Sequence, residues 1–418
     1  MSEPEARQDP ADRSFFRTRA QMVPGRPAPV TTVGVIGWLR ANLFSSWLNT
    51  VLTIAALLLL WRVVPPLLGW TLFNADFSGA AGEECTAAGA CWAWIDQRIT
   101  QFIYGFYPSD SYWRVNVAAI LLIPAVAYVL FDKLPYVRYG RRFSIAYVVI
   151  ATFLLIGGLP VRDETGQVVG SLFGIRSIST DQIGGFMLNV VAGLAGIVLS
   201  LPIGILLALG RRSTLPVVRI ASIGFIEVIR GVPLITLLFV ALIILELFLP
   251  PGLSLDQLIR VMVMITAFSS AYMAEVIRGG LQAIPNGQYE AAKAVGLSYW
   301  KVMRLVILPQ ALKISIPGIV NTFIGLFKDT TLVVTIGLFD ILGQARLLQT
   351  NPDWIGKVDH ETFLIAALFF FVICFSMSRY SNNLEDRLDT PRRKEQGNPA
   401  WQTPTRRPPR NRSSASPA

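Results

Sequence analysis

The sequence predicts an all-α integral membrane protein with about eight transmembrane helices. Three observations predict it. Charge is scarce and bunched: 53% of the 418 residues are hydrophobic and 15% charged, against roughly 25% charged in soluble domains. The uncharged runs approach the ~20 residues that a helix needs to cross the hydrocarbon core. Lysine and arginine collect on alternate loops, as the positive-inside rule requires. A transmembrane barrel is excluded, because its segments are about 10 residues long with period-two alternation.

Taken in order, the runs are 41–61, 115–131, 143–161, 182–210, 231–255, 261–274, 314–339 and 362–378. The first is uncharged throughout. The fifth is broken only by Glu246. The sixth is short, with Arg260 and Glu275 at its ends. The seventh carries Lys328 and Asp329 inside it. With the N-terminus inside, segments 1–46, 132–142, 210–231, 278–313 and 379–418 hold most of the 37 lysines and arginines. The opposite side keeps only Arg98, Arg114, Arg162, Arg176, Arg260, Arg346 and Lys357, while Arg62 and Lys328 lie within spans. Both termini are therefore expected in the cytoplasm. This bias accounts for the net charge of +10, so no nucleic-acid partner is needed to explain it. The first 30 residues lack the apolar core and cleavage site of a secretory signal.

The composition divides the chain into a disordered cytoplasmic tail (1–40), a three-helix extension with a large external loop (41–180), a five-helix core (181–385) and a disordered basic tail (386–418). The tails are rich in Pro, Arg, Ser and Gln and cannot bury enough apolar surface to order themselves. Anionic lipid headgroups are their expected contact. Cys85 and Cys91 lie in the external loop, where a disulfide between them is allowed, and Cys374 is a membrane core residue. Three cysteines and one histidine offer no metal site, since zinc needs about four ligands at suitable spacing. His360 reads as a solvated loop residue. No Ser/His/Asp, metal or cofactor constellation points to an enzyme.

Between the sixth and seventh runs lies "YEAAKAVGLSYWKVMRLVILPQAL", the most charged helical stretch of the core. Pro285, Asn286 and Gly287 mark a turn. Asn286 is placed to cap a helix with Glu290 in its first turn. Gly296 supplies a left-handed stop. Ser298 is placed to cap a second short helix that ends before Pro309, with Trp300, Met303 and Val306 facing the core and Lys301 and Arg304 facing water. A surface amphipathic helix is the plain reading.

The spacing Glu290-Ala291-Ala292, Gly296, then Val306-Ile307-Leu308-Pro309 resembles the EAA loop of ATP-binding cassette (ABC) importer permeases, with Val306 where the family usually has Ile. The resemblance covers roughly residues 180–385, with the loop at 285–312. It extends to the polar amino-acid branch through three further blocks. These are Glu227, Arg230, Gly231, Pro233 and Leu234; then Glu275, Arg278, Gly279 and Gly280; then Lys328 to Leu332. The leading helices resemble the extended permease subunits of general L-amino-acid transporters. The resemblance implies an ATPase dimer docked on the loop and a second homologous permease. It also implies a periplasmic amino-acid-binding protein and residence in the bacterial inner membrane. The chain lacks a Gly-x-x-x-x-Gly-Lys-Ser/Thr phosphate loop, so ATP and Mg are expected on the partner and no cofactor on this chain.

Glu275 and Arg278, three apart on one helical face, are positioned to pair, and Glu227 and Arg230 repeat that spacing. They read as a structural ion pair or as an inner gate. Lys328 and Asp329 lie near mid-depth, where a charge costs at least about 2.5–3.5 kcal/mol on insertion scales. With Asn321, Thr330 and the neighbouring Thr322 and Thr331 they are candidates for a translocation path or gate, or for a local pair that bends the helix. An ion-coupled secondary transporter is the alternative, although it has no use for the hairpin.

Overall fold

The computed structural model describes residues 34–79, 84–85, 88–131, 133–158, 160–162, 168–171, 176–248, 250 and 255–388. Of the tails predicted at 1–40 and 386–418, residues 1–33 and 389–418 lie outside them. The chain forms two compact units, Met1–Asn74 and Ala75–Ala418.

The first unit holds α1 (Gly34–Asn42) and α2 (Trp47–Leu68), which runs on through a π turn at Gly69–Phe73. Residues 34–40 are thus helical where the sequence predicts tail. The Ser46 hydroxyl accepts the Asn49 N–H at 3.2 Å and caps α2. No residue of α2 is buried.

The second unit runs α3 (Ala93–Tyr104), α4 (Tyr112–Leu130), α5 (Val137–Ile156), a two-stranded antiparallel hairpin β1 (Pro160–Arg162) and β2 (Val168–Ser171), and α6 (Gly185–Arg211). There follow α7 (Pro216–Gly231), α8 (Leu234–Phe239), a π turn at Val240–Ile244, α9 (Leu245–Leu247) and α10 (Gln257–Gln282). Next come α11 (Asn286–Ala294), α12 (Tyr299–Val302), a π turn at Met303–Ile307 and α13 (Leu308–Asp329). A 3₁₀ segment (Thr330–Ile336), α14 (Ile341–Gln349) and α15 (Glu361–Leu388) complete the chain.

Among the described residues seven helices are long and apolar enough to cross a membrane, or eight if the bent pair Pro216–Gly231 and Leu234–Leu247 is one span. That pair bends by 106°. The fifth predicted run therefore starts its helix at Leu234 and not at 231. Pro233 is the cause: its ring excludes the helical conformation from Val232, which is extended at φ −112°, ψ 134°.

Three buried clusters organise the second unit. Leu188, Leu238, Val261, Ile265 and Val333 fill its middle. Met273, Ile277, Leu281, Ala292, Val302 and Ile307 fill the end that carries α11. Cys85, Cys91, Trp94, Phe102, Ile341 and Trp354 fill the end that carries α3 and α14. Between apolar helices in lipid the driving force is close packing, because the lipid chains are as apolar as leucine. The third cluster lies largely outside the spans, where burial from water is worth about 1.5–3 kcal/mol per large side chain.

Candidate coupling hairpin and translocation site

The α11–α12 hairpin is built from two short helices and one glycine. Gly296 has φ 81°, a conformation that costs a residue with a Cβ about 1–2 kcal/mol. Its N–H donates to Lys293 O at 2.9 Å and the Leu297 N–H to Ala292 O at 3.4 Å, which closes α11. At the start of α11 the sequence reading needs correction. Pro285 is the N-cap, Asn286 is the first helical residue, and no side chain caps the helix. The fixed φ of Pro285 sets the entry one residue earlier than an Asn286 cap would, which moves Glu290 out of the first turn. Ser298 holds the N-cap position of α12, but its side chain caps nothing.

The second helix does not end before Pro309. It passes through the π turn into α13, so residues from Tyr299 to Ile336 form one continuous helical stretch that holds an apolar window long enough to cross a membrane. Proline at 309 lacks an N–H, and its ring would press on the carbonyl of Leu305; widening the turn at Met303–Ile307 relieves that clash. The inward face also differs from expectation. Val302, Met303 and Ile307 are buried, Val306 is partly buried, and Trp300 is 68% exposed. Leu308 is partly buried and Pro309 exposed.

Glu290, Ala291, Lys293, Ala294 and Gly296 all face outward, while Ala292 is 5% exposed and packs into the cluster beneath. The hairpin is tethered at its base. Arg212, at the end of α6, donates to the Tyr289 hydroxyl at 3.0 Å and lies over its ring at 5.6 Å. The Tyr289 hydroxyl donates to Leu281 O at 3.3 Å, and Gln310 donates to Gln288 at 3.2 Å.

Beside the hairpin, Glu275 is the hub of an ion cluster. It pairs with Arg278 at 2.8 Å, with Arg211 at 2.7 Å and with Arg230 at 3.8 Å. Glu227 pairs with Arg211 at 2.9 Å, not with Arg230 as its spacing suggested. The two Glu-x-x-Arg blocks thus interlock through Arg211, and α6, α7 and α10 are joined at one point. Gly231 ends α7 and Pro233 opens α8 at the bend.

The candidates on α13 separate. Asn321 and Lys328 are exposed and line a groove of about 560 Å³ against α15, with Ile324, Phe370, Phe371, Cys374, Phe375 and Ser378. Asp329 is partly buried and does not line it. No Lys328–Asp329 ion pair forms among the described residues, because successive helical residues point about 100° apart. Thr330 is fully buried on another side. It accepts from Asn189 at 2.9 Å and donates to Phe327 O at 2.7 Å.

The same Asn189 amide donates to Asp340 at 2.9 Å, and its oxygen accepts the Ile341 N–H at 3.1 Å. Asp340 caps α14 by accepting the Gly343 N–H at 2.9 Å. Burial pushes its carboxyl up to about 6, against the pull of the Asn189 and Gly343 hydrogen bonds. Sequence reasoning missed Asn189, Asp340 and Arg211. Arg211 carried a usable signal: a basic residue ending one span, followed at the next turn by a Glu-x-x-Arg block with unequal partners.

Residues 200–390 match the family described as the binding-protein-dependent transport system inner membrane component. The inner membrane amino-acid ABC transporter permease protein YhdY of Escherichia coli K12 is 47% identical over 370 residues, 88% of this chain and 97% of the relative. The chain is an ABC transporter permease. It belongs to the branch of the named amino-acid permeases and is a multi-span inner-membrane protein. The glutamate/glutamine/aspartate/asparagine transport system permease protein BztC of Rhodobacter capsulatus is 45% identical over 90% of this chain and 99% of its own. By contrast, the probable glutamine permease GlnP of Bacillus subtilis matches 49% of this chain with 91% of its own, at 33% identity. The permease thus shares its extension with the first two relatives, since a 370-residue alignment cannot fit within residues 181–418. A solved amino acid ABC transporter with histidines is 30% identical, covering 49% of this chain and 92% of its own, with a TM-score of 0.43.

Proposed function

We propose that this permease is a membrane subunit of an ATP-driven importer of L-amino acids, working beside a second, related permease. An ATPase dimer seats on the α11–α12 hairpin, and a periplasmic amino-acid-binding protein delivers substrate at the opposite end. ATP and Mg act on the ATPase, and this chain holds no cofactor and performs no chemistry. Both termini and the hairpin face the cytoplasm, in keeping with the distribution of lysine and arginine.

The observation that carries this reading is the outward face of α11. Glu290 and two small alanines there, Ala291 and Ala294, are exposed, while the helix is pinned at Tyr289 to Arg212 of α6. Small side chains let a partner backbone approach closely, and the exposed Glu290 carboxylate offers it a charge-assisted hydrogen bond. Motion of such a partner would pass through Tyr289 and Ala292 to α6 and α10, where the Glu275 cluster ties three helices together. A broad or polar to acidic amino-acid range is supported by the names of the relatives.

Reconstitution tests the reading. Proteoliposomes holding the two permeases and the ATPase, supplied with binding protein, should take up amino acids only with internal ATP on the hairpin side. Uptake driven by an ion gradient with no ATPase present would favour a secondary transporter and overturn it.

A further inference from the structure

The turn between α4 and α5 carries more cations than its acids can balance. Residues 131–142 hold Lys133, Arg138, Arg141 and Arg142 against a single acid, Asp132, and no further acid occurs before Ile156, the end of α5. Arg138 and Arg142 stand one turn apart on α5, with Arg141 on the same flank. All three are exposed, and Arg138 and Arg142 form no ion pair among the described residues. Like charges at this spacing repel one another. The turn lies at the α11 end of the unit. Helix α15 starts at the other end, where Glu361 meets Cys91, and about five turns later its Tyr380 hydroxyl donates to Leu130 O at 2.8 Å. At that same end Arg211, Arg230 and Arg278 share Glu275, and Arg211 also takes Glu227. A general bias towards basic loops therefore accounts for cations on this face, but not for an arginine pair left without a carboxylate.

We infer that this turn is a binding site for the headgroup of an anionic phospholipid. The candidate spans on either side, Ser109–Leu130 and Val137–Ile156, have 22 and 20 residues. That leaves almost no slack against the ~20 residues needed to cross the hydrocarbon core, so the turn between them stands at a membrane surface. Its aromatic residues suit that level: Phe131, Tyr136 and Tyr139 are exposed, Tyr136 at 80%, and such rings favour the headgroup region. Arg142 lies over the Tyr139 ring at 5.9 Å. Guanidinium groups bind a phosphate diester through paired N–H donors, and a lipid phosphate supplies the negative charge that the chain does not. The site also marks a junction. Phe131 packs edge-on against Tyr380 at 6.0 Å, so a lipid held here sits where the extension meets the last helix of the core. Its binding should strengthen that contact, since a ligand that binds only the folded state stabilises it.

The test is native mass spectrometry of the complete complex in detergent, titrated with phosphatidylglycerol or phosphatidylcholine, with the thermal midpoint followed in parallel. Wild type should bind phosphatidylglycerol at least about tenfold more tightly than phosphatidylcholine, and its midpoint should rise with the anionic lipid. Arg138→Gln with Arg142→Gln should abolish that preference. Lys301→Gln with Arg304→Gln, which removes equal charge from the hairpin, should leave it intact. Equal affinity for the two lipids in wild type, or an unchanged preference in the Arg138/Arg142 variant, would refute the site. If inorganic phosphate raises the midpoint as much as phosphatidylglycerol does, the ligand is a free anion and the lipid assignment is overturned. If the variant sheds another subunit while the complexes that remain keep the lipid preference, the arginines serve a protein partner and the site is again refuted. A photoactivatable phosphatidylglycerol tests wild type without any substitution: it should label residues 131–142, and labelling confined to other segments would overturn the inference.

Discussion

At the α11 end of the second unit the residues from Glu290 to Gly296 are nearly all exposed, and one tyrosine and one glutamine tie the hairpin to its base. The α3 end is built the other way. A Cys85–Cys91 disulfide closes its loop. The Cys91 N–H donates to the buried Glu361 at 3.1 Å, Gln101 donates to Gln344 at 3.0 Å, and Trp94 and Trp354 are almost fully buried. Gly105, at φ 64°, lies so close to Gly184 and Gly185 that a Cβ there would overlap their backbone. One end leaves its surface exposed and the other packs its surface against itself. The contrast teaches where each should be vulnerable: the hairpin end in coupling, the disulfide end in stability.

The largest expected effect breaks the disulfide end. Trp94→Ala should cost about 3–5 kcal/mol of stability by opening a cavity, read as a lower thermal midpoint, while nucleotide-dependent coupling in the surviving protein stays normal. Ala291→Arg should do the reverse. Its side chain meets open solvent in the free subunit, so the midpoint should hold. Loss of close docking should lower ATP-driven uptake about 100-fold, roughly 2.7 kcal/mol of coupling. If Trp94→Ala uncouples or Ala291→Arg unfolds, the comparison is wrong.

Cys85→Ser with Cys91→Ser sharpens it. The closed loop is short, with a separation of 6 residues, so the disulfide should be worth about 2 kcal/mol, visible as a lower midpoint that reductant reproduces in wild type. Glu275→Gln sits between the two regimes and should cost about 2 kcal/mol. It leaves Arg211, Arg230 and Arg278 to repel one another, so added salt should recover part of the loss.

The smallest effect concerns pH. The folded carboxyl of Asp340 lies near 6, above the ordinary aspartate value of about 3.9. The folded state therefore binds this proton more tightly. Its contribution to stability is full below about pH 3.9 and is lost as pH rises through about 6. Acidification from pH 7 to pH 5 should raise the thermal midpoint of wild type slightly, and Asp340→Asn should remove that dependence. An unchanged slope in the variant would place the titration elsewhere.

The spans and the hairpin were legible in the sequence because their signals are local. Apolar runs, loop charge and the spacing from Glu290 to Pro309 need only neighbouring residues. Even so, the boundary residues Asn286 and Pro309 were misread, since a fixed proline φ and a π turn alter helix ends without changing the periodicity. The disulfide end was largely hidden. Cys91 meets Glu361 across 270 residues, and Asn189 meets Asp340 across 151. Nothing in the spacing of either partner announces the other. Lys328 and Asp329 stood out as charges in an apolar run, but only the fold shows that Lys328 faces the α15 groove while Asp329 turns away.

The most direct test of the two-ended account labels both ends in the same cells. Single cysteines at Ala291→Cys and Asp96→Cys, in a background with Cys374 replaced by Ser, would be challenged with a membrane-impermeant thiol reagent and then with a cross-linker towards the co-expressed ATPase. The account predicts that position 96 is labelled from outside, that position 291 is protected there, and that only position 291 cross-links to the ATPase. Outside labelling at position 291, or an ATPase cross-link from position 96, would contradict it.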